Sequence, residues 1–577
     1  MGTNEVVLAQ ISPMRSPDEI HSLVSRILVS RGYVNEQQQH RFLHPDYTRD
    51  IGDPFLFDDM QRAIDRIRAA IDSNELITIY GDYDVDGVCA TAVLFDTLRM
   101  LDARVDVVIN HRERDGYGLQ IKMLELIHRA GSTLVITDDS GISNAAEVAF
   151  AVERGIDVII TDHHQIPPVD MLPQAYAIIH PLVRADRYPC KHLVGAGVAF
   201  KVVQALLRCP WVRDIFLKKD ISIEGFEKWM LDIVAVATVA DCMPLLDENR
   251  AIVKYGLIVL NKTKRLGLRH LLSCARLSEK QITTHSIGFG IAPRLNAASR
   301  MEHGKIAFEL LTTSDEEMAQ ELAQTLEHTN VRRQKLTETI VRAARMAVSR
   351  QVEEGKKILI GIGDSWPLGI LGLVASRLMN EFKRPVILVT AAEAGRVGAA
   401  RSIASVHITN IFHRFEYFFL RFGGHAAAGG FSLKPTTDTD LFVNAIHDHA
   451  DKEVSLQPHE LEGSPDAEIR LADITLDLAE QLQLLEPHGI GNPKPIFRIS
   501  NVTIQAMERV GSQKQHIRLL LSDGVASRKA IAFSHASRID KLELLEGESV
   551  SVIAEIDVHE WRMTRETQLT IRTLSRP

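Results

Sequence analysis

Three short β-branched apolar runs in this chain each stop abruptly at acids or imidazoles. ITIYGDYDVDG (77–87) delivers Asp82, Asp84 and Asp86; LVITDDSG (134–141) delivers Asp138 and Asp139; VIITDHH (158–164) delivers Asp162, His163 and His164. Between these runs, segments such as GVCATAVLFDTLRML and QIKMLELIHRA carry apolar residues at helical spacing. This alternation predicts a mainly parallel sheet with helices on both faces. In such sheets ligands gather beyond the carboxyl ends of the strands, so three acid-tipped strands point to one site. Residues 193–310 read mostly as helix, and WMLDIVAVATVA ends in Asp241, a fourth contributor.

Downstream, a polar-amphipathic stretch runs from Asp315 to Glu354 without Gly or Pro. It predicts one long connecting helix, with Ser314 and Glu317 as a capping box and Gly355 at the far end. A second α/β unit follows, with KILIGIG and RPVILVT as buried strands around GILGLVASRLMNEF. The Gly- and Ala-rich segments GRVGAARSI and RFGGHAAAGGFSL let a backbone approach a ligand closely. Arg401 and His425 are the charged members of that approach, suited to phosphate. From about 458 onward, short alternating segments separated by turns predict about five strands of an all-β module, compatible with an oligonucleotide-binding (OB) barrel. The expected fold class is therefore α/β: two α/β domains joined by a long helix, plus a C-terminal OB-like β-barrel. The expected divisions are an N-terminal helical segment (1–70), a catalytic α/β domain (71–312), a connector helix (313–355), a phosphate- and DNA-binding domain (356–457) and the barrel (458–577).

A length of 577 residues suits several domains, and 45% apolar with 24% charged content is that of a soluble globular protein. The N-terminal residues lack a secretory pattern and no stretch suits a bilayer span, so a cytoplasmic protein is expected. Five scattered cysteines without a CxxC pair point to reduced thiols, not a zinc ribbon or disulfide framework. A net charge of −9 does not favour nucleic-acid binding, although it says little about any one groove.

Clustered carboxylates repel one another and call for divalent cations. Asp82 and Asp84, two apart in an extended loop, can share a face. Asp86 can point with them or cap the helix that opens at Gly87, the cap or turn being its expected role. An EF-hand is ruled out, because Val93 stands where the bidentate Glu would be. The DHH triplet is more specific: one imidazole can bind metal while the neighbouring carboxylate orients a ring. Carboxylate and imidazole without thiolate favour Mn²⁺ or Mg²⁺ over structural Zn²⁺.

GDYDVDG, DDSG, TDHH, TVADCMPLLDENR and PRLNAASRM together resemble the DHH phosphoesterase superfamily. LGLVASRLMNEFKRPVILV, GAARSI and FGGHAAAGGF are similar to its DHHA1 domain. LEPHGIGNPKPIF resembles the start of the barrel that trails in the superfamily's bacterial single-strand-specific 5′→3′ DNA exonucleases. The resemblance implies a two-cation site of Asp82, Asp84, Asp139, His163, His164 and Asp241, with Asp162 among the catalytic residues. Asp139, two before Gly141, would be the bridging acid. It further implies a pocket for a 5′-phosphate and DNA built from Arg112, Asn296, Arg300, Arg401, Ser402, Gly424 and His425. The implied activity is metal-dependent hydrolysis of single-stranded DNA from its 5′ end, in repair and recombination. A single-strand-binding protein and a helicase are expected partners, no membrane is involved, and the enzyme is expected to be a monomer. Alternatives are a small-substrate phosphodiesterase of the same superfamily and a non-catalytic replication scaffold. Tyr117 and Phe422 could stack on bases, although core packing is the expected role of each. The chain departs from the family pattern at Ala399 (often Ser), Pro367 (usually His), Asp138 (usually apolar) and His111 (usually Asn).

Overall fold

The computed structural model describes residues 21–183, 187–392, 395–455, 464–561 and 564–576. The first twenty residues of the expected N-terminal segment lie outside these, as does the expected boundary at 457/458. The chain divides into two compact units. One is Gly52–Met243 with Tyr255–Glu462; the other draws on the segments before Gly52, Pro244–Lys254 and after Glu462.

The first unit contains two sheets. Strands β1 (Leu76–Gly81), β2 (Arg104–Ile109), β3 (Ser132–Asp138), β4 (Asp157–Thr161) and β5 (Ala177–Ile179) form an all-parallel sheet in the order β2-β1-β3-β4-β5. The buried runs of β1, β3 and β4 reflect burial on both faces. The order reverses between β1 and β3, the topological switch point at which such sheets bind ligands. The second sheet, order β6-β7-β8-β10-β9, comprises β6 (Leu359–Ile362), β7 (Val386–Ala392), β8 (Gly395–Arg401), β9 (Phe419–Gly424) and β10 (Ala428–Leu433). Only its β6–β7 pair is parallel; β7–β8, β8–β10 and β10–β9 run antiparallel.

One helix, Glu316–Glu353, runs 38 residues without a break, or ~57 Å at ~1.5 Å per residue. Its N-cap is Asp315, whose carboxylate accepts from the Met318 amide at 2.7 Å. The capping box expected at Ser314 and Glu317 does not form, because Asp315 takes the cap and the residue three on is Met318, whose side chain cannot reciprocate. Its first half packs on helices Leu266–Cys274, Ala292–Met301 and Lys305–Thr312. Its second half contributes Ile340, Val341, Ala344 and Val348 to the core beneath the second sheet.

In the second unit, β12 (Phe497–Val510), β13 (His516–Ser522), β14 (Ser527–Ala532), β15 (Ser549–Trp561) and β16 (Thr564–Ser575) form a closed five-stranded barrel. Pairing of β12 with β15 closes it, and β11 (Ala467–Glu468) adds to β12. Helices Ser22–Ser30 and Glu36–Leu43 pack into the same core. A buried guanidinium ties this unit together: Arg250 donates to the carbonyls of Phe42, Leu484, Leu485 and Glu486 at 2.8–3.1 Å. Burial pushes this group down to about 10. Each orphaned buried acceptor costs ~1–3 kcal/mol, so Arg250→Met is expected to destabilise this unit by ~3 kcal/mol or more. Denaturant unfolding followed by circular dichroism checks this.

Candidate metal centre and phosphate cleft

Gly81 of β1 stands in register with Asp138 of β3, and Asp138 with Thr161 of β4. Asp82, Asp139 and Asp162 therefore emerge one residue later along one sheet edge, with neighbouring strands ~4.8 Å apart. Asp139 adopts a left-handed backbone, φ 53°, which Asp tolerates better than most residues.

Asp84 caps the helix Val85–Met100, accepting from the Asp86 and Gly87 amides at 2.9 and 3.3 Å. Asp86, expected to be the cap, lies inside the first helical turn. Its carboxylate accepts from the Gly195 and Ala196 amides at 2.7 and 2.8 Å. Those amides open the helix Gly195–Leu207, whose positive end favours an anion. A Cβ on Gly195 would stand 2.7 Å from Asp139 Cβ, so this helix packs directly behind the acid.

His163 Nε2 lies 3.1 Å from Asp139, 3.5 Å from Asp86 and 3.8 Å from Asp241. Asp241 ends the helix Leu231–Ala240. Asp162 is saturated by the protein: its oxygens accept from the amides of Ile142, His163 and His164, and His164 Nδ1 lies 2.8 Å away. The Tyr117 hydroxyl donates to the Asp139 carbonyl at 3.1 Å and sits 3.0 Å from His164 Nδ1.

Electrostatics separate the acids into two kinds. Burial, with repulsion from neighbouring acids, holds Asp82, Asp86 and Asp139 well above the usual carboxylate range. Burial and Asp84 push Asp241 up to about 7. Burial alone would raise Asp162 as well, but its hydrogen bonds from His164 and the backbone hold it well below that range. His163 is pushed down to about 3 by burial and by neighbouring His164. Burial works to lower His164 too, yet its bond to Asp162 raises it.

Ligand-bearing atoms converge in three sets within 4.8 Å: Asp82, Asp84 and Asp139; Asp86, His163 and Asp241; Asp139, His163 and His164. Asp82 Oδ1 and Asp139 Oδ1 are buried without a hydrogen-bond partner. Orphaned oxygens in a set of carboxylates and imidazoles, with no thiolate, fit hard or borderline divalent cations.

His164 also borders an open cleft of about 690 Å³. Arg112, Arg300, Arg401, Gly424 and His425 line it, together with Tyr83 and Arg421, which the sequence did not single out. Arg112 lies over the Tyr83 ring, 5.1 Å from its centroid. Arg300 donates to the Gly369 carbonyl at 2.9 Å, and Arg401 to its neighbour's carbonyl at Ala400. Burial and the charge of Arg112 push Arg300 down to about 9, and the same two causes lower Arg401. Gly424 takes φ 139°, and a Cβ there would stand 2.2 Å from the Ala428 carbonyl oxygen.

Two of the anticipated cleft residues lie elsewhere. Asn296 Oδ1 accepts from the Val85 amide at 3.3 Å, bracing the acidic loop. The Ser402 hydroxyl is buried and donates to the Val406 carbonyl at 2.6 Å. Tyr117 and Phe422 both border the cleft, and Phe422 also packs against the core of the second sheet. Of the departures from the family pattern, Ala399 lines the cleft. Asp138 is buried, with the Thr91 hydroxyl 2.9 Å away. His111 lies edge-on to His303, and Pro367 precedes the helix Leu368–Phe382.

A switch-point acid–imidazole cluster on a parallel sheet defines a DHH-type protein, and family models agree. The DHH family N-terminal domain matches residues 76–238, the DHHA1 domain 355–452 and the RecJ OB domain 465–573. The chain belongs to the RecJ family. It is 34% identical to the single-stranded-DNA-specific exonuclease RecJ of Bacillus subtilis, over 96% of this chain and 68% of the relative. It is 32% identical to that of Dickeya dadantii, over 97% of this chain and 96% of the relative. The crystal structure of Thermus thermophilus RecJ in complex with Mn²⁺ superposes with a TM-score of 0.78 at 27% identity, covering 96% of this chain and 76% of that one. The Mg²⁺ complex gives 0.73 at 25% identity, covering 97% and 75%. Among the described residues, no helix is long and apolar enough to cross a membrane.

Because a Cβ on residue 195 would press on Asp139, Gly195→Ala is expected to weaken Mn²⁺ binding by about 10–100-fold while the fold is kept. Calorimetric titration, with circular dichroism as the control, checks this.

Proposed function

We propose that this chain is a divalent-cation-dependent exonuclease that hydrolyses single-stranded DNA from its 5′ end. The observation that carries this reading is the junction at His164 of two uncompensated environments. On one side lies the acid–imidazole cluster, and on the other a cleft with Arg112, Arg300 and Arg401. Among the described residues none of these arginines has a carboxylate partner. Guanidinium groups left together in a half-buried cleft suit a phosphate dianion, which relieves their mutual repulsion.

Asp82, Asp84 and Asp139 would hold one cation and Asp86, His163 and Asp241 the other, with Asp139 shared. When bound, such cations supply an activated water and neutralise charge on the phosphoryl oxygens. Asp162 keeps both histidines in place by accepting from their amides and from the His164 ring. Tyr117 fixes the Asp139 backbone. The three arginines seat the terminal 5′-phosphate, so the next phosphodiester faces the acids and 5′-mononucleotides leave one at a time. Gly369 and Gly424 line the cleft, and a Cβ on either would press on a backbone carbonyl, of Arg300 or Ala428, so the wall keeps its shape only with glycine there.

Relatives named as single-stranded-DNA-specific exonucleases support this substrate over a small dinucleotide, as does a barrel matching the RecJ OB domain. Retention of every acid and imidazole argues against a scaffold. Repair and recombination are the processes such resection serves. A single-strand-binding protein and a helicase are the partners we infer, and one copy of the chain carries a complete site.

Asp139→Ala is expected to lower cleavage of a single strand by on the order of 100–1,000-fold or more; wild-type turnover would reject the site. A strand labelled at either end, followed over time with Mn²⁺, reads the polarity. Arg401→Ala is expected to erase preference for a 5′-phosphorylated over a 5′-hydroxyl end by about 10–100-fold, measured as the ratio of kcat/KM values.

A further inference from the structure

Residues 257–294 hold seven Lys and Arg against a single acid, Glu279, in a chain of net charge −9. Two of these cations are committed inside the fold: Arg265 to Asp96 and Asp232, and Arg294 to Glu327. Lys264 lies 4.4 Å over the Trp229 ring. Lys262, Arg269, Arg276 and Lys280 are exposed and have no carboxylate partner among the described residues. Lys262 and Arg269 border an open cleft of about 480 Å³ whose wall includes Ser278.

Beside these cations stands an aromatic pair. The helical run Thr284–Met301 includes a π-turn at Ile287–Ile291, a distortion that recurs at functional sites. Ile287 and Ile291 are buried there, while Phe289 is 75% exposed. The His285 ring stacks on it at 4.5 Å and 25°. The loop bearing Arg276 and Lys280 lies against this turn, since a Cβ on Gly290 would stand 2.7 Å from Leu277 Cδ1. Asn261 pins the same loop through both side-chain hydrogen bonds to Ile282, at 3.1 and 2.8 Å.

A lone exposed Phe signifies nothing. A stacked pair rimmed by unpaired cations is the combination by which proteins hold single strands without sequence preference. A protein partner is less suited, because the patch offers one ring among charges and not an extended apolar area. The same unbroken run also leads to the cleft. Arg300 stands eleven residues beyond Phe289, roughly 16 Å at ~1.5 Å per residue.

We propose that the His285–Phe289 stack, with Arg276 and Lys280, is a second contact for single-stranded DNA, a base stacking on Phe289 and phosphates lying against the cations. This rests on the proposed activity and extends it from the 5′ end to strand several nucleotides downstream. The test uses the full chain in an Asp139→Ala background, with fluorescent 5′-phosphorylated oligo-dT of about 20 and about 3 nucleotides and anisotropy as the readout. Phe289→Ala is expected to weaken the long strand by about 5–100-fold and leave the short one unaffected. Arg276→Ala with Lys280→Ala is expected to reduce the salt dependence of long-strand binding by about 1.4 in log–log slope. Long-strand affinity and salt slope equal to the parent in both variants would overturn the second contact while the exonuclease reading stands. A parent chain that binds neither strand would overturn both.

Discussion

Repulsion among buried carboxylates is the constraint around which this molecule is arranged. Two such charges ~4 Å apart repel by roughly 4 kcal/mol at an effective dielectric near 20, against a total folding margin of ~5–15 kcal/mol for a domain. Asp82, Asp86 and Asp139 are all buried at the sheet edge, with Asp84 and Asp241 beside them. The fold compensates these acids unequally. Asp162 receives several donors, and Asp86 is met by a helix N-terminus. Asp82 and Asp139 each keep a bare oxygen. Donors are thus concentrated on the acid that orients its neighbours, and two of the oxygens left bare belong to a set that could hold a cation.

The cleft repeats this logic with the opposite sign. Arg300 and Arg401 are anchored through backbone carbonyls, contacts that set their direction without cancelling their charge. Burial first, and then the charge of Arg112 beside them, lowers the proton affinity of both. A phosphate ester supplies the negative charge that the arginines lack, whereas the carboxylates need cations. His164 stands where the two environments meet, lining the cleft and belonging to one of the ligand sets.

What the sequence made legible was whatever depended on short-range pattern. β-branched runs ending in acids marked Asp82, Asp139 and Asp162, and strand register then placed them side by side. For Asp86 the sequence leaves two roles open, and the cap is favoured because an Asp before a helix has a local partner at hand. Its actual partners, the amides of Gly195 and Ala196, are more than a hundred residues away in the chain. Asp84, one residue ahead of the first turn, took the cap instead. Ser402 neighbours a cleft arginine in sequence, but it lies just past the end of β8 and its hydroxyl turns inward to Val406. Tyr83 and Arg421 escaped notice since nothing local distinguishes a cleft-lining ring or cation from a surface one.

The long helix has a mechanical consequence. Its first half is embedded among the helices around the acidic site and its second half in the core beneath the arginine-bearing sheet. No Gly or Pro in its 38 residues offers a joint. Separating the two walls would mean bending a rod that both bodies grip along its length. The spacing between them is thus set when the chain folds, as the gap of a calliper is set by its bar.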